Sequence, residues 1–421
     1  MLRRKTRFVC VSDTHAYTPS EAGFKLPAGD VLIHAGDLTN WGSKAELQKT
    51  MAWIAAADYE VKIVICGNHD ITLDVPFYTA RGSDFHRSNL ENPQKCLETI
   101  TNASGSVSLS NPNSNPNSNS IIFLNHQSAL IRLRNPNGPN TIFKIFGSPY
   151  SQHNGNWAFL YTPDEAEDLW GGIPLDADVV VTHGPPRSMV CGGRGCKVLR
   201  RRLGDVRPCL AICGHVHEGR GYERVNWGRQ AGIGVGTGKA EGEGEGEGGG
   251  EGEAEETVKG ILPPQGSKKQ SLVDLTGKRA PRLDNNGLHH HHHAGELFPS
   301  PNPTSDSQAR NPDVLIFPPQ SRNTKYESDL GQNQSQDQDP DQAKRLSQTS
   351  STKLGSELQF QTTAQTAAAA ADADTQAQRR ETCIVNAAIM ATNWPHPGGR
   401  KFHPGPIVVD LELPVWKDRE A

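Results

Sequence analysis

Five short clusters of Asp, Asn and His stand out in this chain, each just past an apolar, β-branched run. Ser12-Asp13-Thr14-His15 follows Phe8–Val11, Gly36-Asp37 follows Val31–Ile33, and Gly67-Asn68-His69-Asp70 follows Val61–Cys66. Thr182-His183-Gly184-Pro185-Pro186 follows Val179–Val181, and Gly214-His215-Val216-His217 follows Leu210–Cys213. Any one of these alone reads as a turn, a helix cap or a solvated strand end. Together they describe a single site, because in open α/β sheets ligands collect at the carboxyl ends of strands. Imidazoles, carboxylates and a carboxamide without thiolates suit Mn²⁺, Fe or Zn²⁺. The neighbouring glycines let the backbone turn tightly, so that the next side chain faces the site.

Such a site needs strands to carry it. From residue 7 to about 236 the chain alternates strand-length apolar runs with helical segments. The runs Ile121–Leu124, Ala129–Leu133 and Ile142–Phe146 complete the strand series. Ser43 to Glu46 is a capping box opening a helix through Ala57, and Thr162 to Glu165 is another with Pro163 at its first position. A third, basic helix is expected over 196–203.

Asn111 to Ser120 is a low-complexity loop. From Gly238 the composition turns to Gly/Glu repeats, then Lys/Gln/Ser/Pro-rich sequence, five His from His289 to His293, and an Ala run ending at Ala371. Such composition buries too little apolar surface to offset chain entropy, so 239–379 is expected to be a disordered insert. Strand patterns return at 382–389 and 406–413. Two strands cannot form a domain alone, so they are expected to complete sheets begun earlier. The expected organisation is one discontinuous domain, 1–238 and 380–421, around the insert.

The chain has 421 residues, 43 Lys plus Arg against 47 Asp plus Glu, and a net charge of -4. That excludes a strongly basic binder reading nucleic acid by bulk charge. No run approaches the ~18 apolar residues of a membrane span. Phe8–Val11 is too short for a signal-peptide core. Eight Cys in this length are no disulfide framework and read as free thiols, so a cytoplasmic location is expected.

The ordered series Asp13-x-His15, Gly36-Asp37, Gly67-Asn68-His69-Asp70, His183 and Gly214-His215-x-His217 resembles the calcineurin-like metallophosphoesterase superfamily. His34 to Thr39, Gly147-Ser148-Pro149, Asn156 to Phe159, Thr182 to Pro186, Gly214 to Gly219 and the late Val385-Asn386-Ala387 resemble one branch of it. That branch comprises the metallophosphoesterase-domain-containing brain proteins and their fungal relatives. The resemblance covers about 7–235 and 380–415. It implies an α/β fold, a two-sheet β-sandwich flanked by helices, and two divalent metal ions. By the same resemblance Asp13, His15 and His217 hold the first ion, Asn68, His183 and His215 the second, and Asp37 bridges them. Some members have Gly in place of His215; here the set is complete. A metal-bridging hydroxide would attack phosphorus, and His69, oriented by Asp70, would protonate the leaving oxygen.

The implied function is hydrolysis of small phosphodiesters, cyclic nucleotides among them, with neither membrane nor nucleic acid as partner. The alternatives are a phosphomonoesterase or protein phosphatase, which the same metals would serve, and a non-catalytic scaffold of the same fold. A scaffold need not keep Asp37, Asn68, His69, His215 and His217 together. Among weaker candidates, His34 lies on a strand and reads as core or as support for a ligand. His153, Asn154 and Asn156 form either a pocket edge or a plain polar loop. Trp157 and Phe159 read as core or pocket wall, with stacking on a base as the alternative. Arg194, Lys197, Arg200, Arg201, Arg202 and Arg207 read as a solvated helix face, with steering of an anionic substrate as the alternative.

Overall fold

The computed structural model describes residues 2–105, 120–228, 255–264, 267, 269–286, 313–318, 378–392 and 399–416. The first half of the chain supplies strands β1 (Arg3–Val11), β2 (Val31–Ala35), β3 (Val61–Ile65), β4 (Ser120–Phe123), β5 (Gln127–Arg132) and β6 (Ile142–Ser148). A small pair, β7 (Ser151–Gln152) and β8 (Leu160–Tyr161), precedes β9 (Val179–Thr182), β10 (Leu210–Cys213) and β11 (Gly221–Asn226). Then come β12 (Glu256–Lys259), β13 (Ser271–Asp274), β14 (Val314–Phe317), β15 (Glu381–Asn386) and β16 (Ile407–Pro414). The helices are α1 (Pro19–Ala22), α2 (Lys44–Ala56), α3 (Val75–His86), α4 (Pro93–Gly105), α5 (Ala166–Gly171) and α6 (Lys197–Val206).

The strands form two large sheets, in the orders β13-β16-β1-β2-β3-β4 and β12-β11-β15-β10-β9-β6-β5-β14. Alternation along each strand decides what faces what. Phe8, Cys10, Ile33 and Ile63 point inward from the first sheet and meet Phe143, Val181, Ile212 and Val385 of the second in one buried cluster. The Phe8 and Phe143 rings meet edge to face, centroids 5.4 Å apart. The alternate residues Val9, Val11, Leu32 and Val64 face outward against Leu47, Met51 and Ile54 of α2 and Cys96 and Ile100 of α4. On the far side Phe146, Val180, Ala211 and Ile384 pack against Trp170 of α5 and Leu199, Leu203 and Val206 of α6. The result is the expected sandwich flanked by helices.

The expected caps open their helices. Ser43 accepts from the Glu46 amide at 3.3 Å while Glu46 accepts from the Ser43 amide at 3.1 Å. At 162–165 the box opens a short turn that leads into α5. The basic helix α6 begins where expected but runs to Val206. Its cations are mostly paired rather than merely solvated. Arg200 meets Glu223 at 2.6 Å, Arg201 meets Glu167, and Arg202 meets the Ile173 carbonyl.

The strands after the insert lie inside both sheets rather than at their edges. β16 runs antiparallel to β1, with Phe8 opposite Val409, and β15 lies between β10 and β11. The expectation of an unstructured 239–379 needs a correction. β12, β13 and β14 fall within that stretch, and each pairs with a sheet strand: β11, β16 and β5 respectively. Short apolar runs such as Val314-Leu315-Ile316-Phe317 vanish in an average over a polar segment, yet a sheet edge has unpaired groups to offer them. Asp313, beside β14, pairs with buried Arg132 at 2.6 Å. Most of the remaining insert, the His289–His293 run included, lies outside the described residues, as does most of the 111–120 loop.

Candidate metal centre

The carboxyl ends of β1, β2, β3, β9 and β10 converge, and the loops leaving them carry all seven expected ligands. These loops turn sharply. Asp13, His15, Asp37 and His215 all have left-handed backbone, at φ 57°, 44°, 52° and 66°. Left-handed non-glycine residues are uncommon and strained, and they gather where surrounding structure over-determines them. Two glycines let the loops close on one another. A Cβ on Gly67 would lie 2.3 Å from Asp37 Oδ1, and one on Gly214 would lie 2.0 Å from Ser12 Oγ.

The side chains form two linked groups. His217 Nε2 lies 3.4 Å from Asp13 Oδ1 and 3.3 Å from His15 Nε2. His183 Nε2 lies 3.0 Å from Asn68 Oδ1, and His215 Nδ1 lies 2.8 Å from that same oxygen. Asp37 stands between the groups, with one oxygen 3.7 Å from His15 Nε2 and the other 3.3 Å from His183 Nε2. Ligand atoms of Asp13, His15 and His217 lie within 4.8 Å of one another, as do those of Asp13, Asp37 and His183. His215 reaches the cluster through Asn68.

Residues 6–219, just over half the chain and all seven of these positions, match the family model for calcineurin-like phosphoesterase. This chain belongs to the calcineurin-like phosphoesterase family. It is 34% identical over 234 residues to metallophosphoesterase domain-containing protein 1 of Homo sapiens, covering 51% of this chain and 62% of that protein. It is 39% identical over 234 residues to the probable rhamnogalacturonate lyase C of Emericella nidulans, covering 54% of this chain but 19% of that protein. The chain thus spans about three fifths of the human relative and a fifth of the fungal one. TT1561 of Thermus thermophilus is a structural neighbour at TM-score 0.33 and 11% identity, covering 50% of this chain and 82% of that one.

The donor set of this chain fits divalent cations. Asp13 and Asp37 are buried, and their ion-pair partners among the described residues are imidazoles: His217 for Asp13, His15 and His183 for Asp37. His183 Nδ1 lies 2.9 Å from the Ala35 carbonyl and His217 Nδ1 lies 2.8 Å from the Thr392 carbonyl. A carbonyl only accepts, so each Nδ1 carries the proton and each Nε2 turns toward the carboxylates. Metal-binding histidines are oriented in this way. The electrostatics agree. Burial works against ionised Asp13, but the hydrogen bond and charge of His217 with the charge of His183 hold it at about 2. Burial opposes ionised Asp37 too, and His183 and His69 hold it well below the usual carboxylate range. Burial lowers His183, yet Asp37 beside it lifts it to about 9. Burial and His183 push His215 down to about 4. Burial and His69 push His15 well below its ordinary value.

The expected partnership of His69 and Asp70 needs a correction. Asp70 is buried, and its oxygens accept from the amides of Gly67 at 2.8 Å, Leu38 at 3.2 Å and Thr39 at 2.9 Å, and from the Thr39 hydroxyl at 2.7 Å. It therefore ties the β3 loop to the β2 loop. The His69 ring is held instead by Asn40, whose carbonyl lies 2.8 Å from Nδ1. Burial and the charge of Asp37 raise Asp70 to about 7. Sequence reasoning misses Asn40 and Thr392 because each acts through its backbone, which leaves no residue-type signal.

The weaker candidates divide. His34 is buried with Nε2 2.9 Å from Thr14 Oγ1, supporting the β1 loop. His153 and Asn154 line a cleft of about 530 Å³ together with Gln152, Arg194, Glu218 and His215. Trp157 lies against His69, centroids 3.9 Å apart. All eight cysteines are unpaired and buried. Among the described residues no helix is long and apolar enough to cross a membrane.

Proposed function

We propose that this chain is a binuclear-metal phosphoesterase that hydrolyses phosphodiesters, cyclic nucleotides among its candidate substrates. The observation that carries the reading is the position of Asp37. A carboxylate has two acceptor oxygens, and those of Asp37 face His15 of one ligand group and His183 of the other. Asp13, His15 and His217 would hold one ion, Asn68, His183 and His215 the other, with Asp37 shared. Two ions so held would supply charge neutralisation for the phosphoryl oxygens and acidification of a water nucleophile.

The chain's own groups do the rest. Ala35 and Thr392 carbonyls fix the imidazoles of His183 and His217. His69 donates Nδ1–H to the Asn40 carbonyl, so its other nitrogen, Nε2, would deliver the proton to the leaving oxygen from the imidazolium form. The cleft beside His215 offers room for a second ester substituent, which a diester has and a monoester lacks. The catalytic unit is read as one discontinuous domain, because β15 and β16 complete the sheets whose loops carry the ligands, and Thr392 follows β15.

The test compares bis-4-nitrophenyl phosphate with 4-nitrophenyl phosphate, each with Mn²⁺ or with EDTA. Metal-dependent turnover favouring the diester supports the reading. A preference for the monoester supports a phosphomonoesterase. A folded, metal-loaded protein inert to both supports the scaffold.

A further inference from the structure

We propose that Trp157 is a positioning residue for His69, bracing its imidazole so that Nε2 stays aimed at the leaving oxygen. This rests on the reading of His69 as general acid. Among the described residues the His69 ring has one hydrogen bond, from Nδ1 to the Asn40 carbonyl at 2.8 Å. A single hydrogen bond leaves the ring free to pivot about its own axis, which would sweep Nε2 out of line. Face contact removes that freedom. The Trp157 indole lies 3.9 Å from the imidazole, centroid to centroid, with an interplanar angle of 32°. His15 meets the ring edge to face at 4.7 Å.

Trp157 can act as a brace because it is itself anchored to the loop that carries His69. The amide of Ala158 donates to the Asn68 carbonyl at 3.3 Å, one residue from His69. The amide of Phe159 donates to Asp74 Oδ2 at 2.8 Å, on the same loop. Outside, Phe85 at 5.4 Å and Trp41 at 5.9 Å back the indole. The indole is therefore held independently of the ring it faces.

In the step concerned, the attacking oxygen bonds to phosphorus as the bond from phosphorus to the leaving oxygen breaks, and the electron pair of the broken bond goes to the leaving oxygen. The Nε2–H bond breaks as that oxygen takes the proton, and the ring is left neutral. A ring free to pivot offers the proton badly, and misplacement of this kind costs on the order of 10–100-fold. Leaving groups that are stable as anions need no proton and should not register the loss.

The experiment uses the full chain loaded with Mn²⁺ and two diesters. Bis-4-nitrophenyl phosphate has a good leaving group and diphenyl phosphate a poor one. Trp157→Leu should lower kcat on diphenyl phosphate by about 10–100-fold and leave the nitrophenyl ester within about threefold, with KM and bound Mn²⁺ unchanged. Trp157→Phe, which restores a flat face, should recover most of the loss. The double variant His69→Ala/Trp157→Leu should be no slower than His69→Ala. Equal loss on both diesters, or additive losses in the double variant, would overturn the proposal. If His69→Ala alone falls equally on both diesters, the general-acid reading itself is wrong, and the proposal goes with it. Should Trp157→Leu not fold, Trp157→Met takes its place under the same criteria.

Discussion

The backbone amide of His69 donates to Asp37 Oδ1 at 2.9 Å. The carboxylate at the centre of the ligand cluster therefore also fixes the loop carrying the candidate acid. The candidate ligand cluster and the candidate acid are parts of one hydrogen-bonded unit.

The two residues should nevertheless separate on mutation. Asp37→Ala removes the group between both ligand sets and the anchor of the His69 amide, so bound metal and activity should both be lost. His69→Ala removes a proton donor and should slow turnover by ~10²–10⁴-fold with metal content nearly intact. Elemental analysis of purified variants beside turnover checks this. Equal metal loss in the two would contradict the division.

His215→Gly should weaken metal binding without unfolding the domain. His215 sits at φ 66°, a conformation glycine adopts at little cost. One imidazole of several is lost, so activity should recover partly at high Mn²⁺. Titrating Mn²⁺ against turnover, with melting followed in parallel, is the measurement. A folded variant that stays inactive at saturating Mn²⁺ would give His215 a role beyond ligation.

The insert should be divisible. Replacing 319–377 by a Gly/Ser linker should leave fold and activity in place, because loop closure changes by only about 0.6 kcal/mol per doubling of length. β14 and β15 stand five strand positions apart in one sheet, roughly 24 Å at the usual spacing, so the linker needs to reach that far. About 20 flexible residues have a comparable mean span. Deleting 255–286 should instead lower the melting temperature. It removes β12 and β13 and the buried side chains of Val273, Leu275 and Leu283. Equal tolerance of both deletions would show that these strands contribute nothing.

Acid should destabilise the fold through His126. Burial lowers this imidazole from 6.5 to about 4. Between those values the unfolded chain binds more protons than the folded one, so stability rises with pH there and falls as pH drops from about 6.5 toward 4. His126→Asn, which tolerates the left-handed backbone at φ 55°, removes that contribution. Melting temperature measured from pH 8 to 4 should fall less steeply through the window for the variant than for the parent. Parallel curves would refute the assignment.

Much of this protein is determined by sequence alone. The ligand types are local: each of the five clusters follows a strand whose β-branched run is legible without neighbours, and strand ends in α/β sheets gather into one place. The caps at Ser43 and Thr162 are equally local, because a capping box closes within four residues. What the sequence could not decide is whatever depends on contacts between distant segments. Val314-Leu315-Ile316-Phe317 becomes a strand because the edge at β5 offers it hydrogen bonds, which no local composition records. Helices α3 and α4 are placed by packing against the rest of the fold, through Tyr78, Cys96 and Ile100 among others. Asp70 is adjacent to His69 in sequence, yet its hydrogen bonds turn to the β2 loop, and it was the carbonyl of Asn40 that tertiary structure brought to the imidazole. Chain neighbours share an address, but a buried carboxylate goes to the amides that satisfy it.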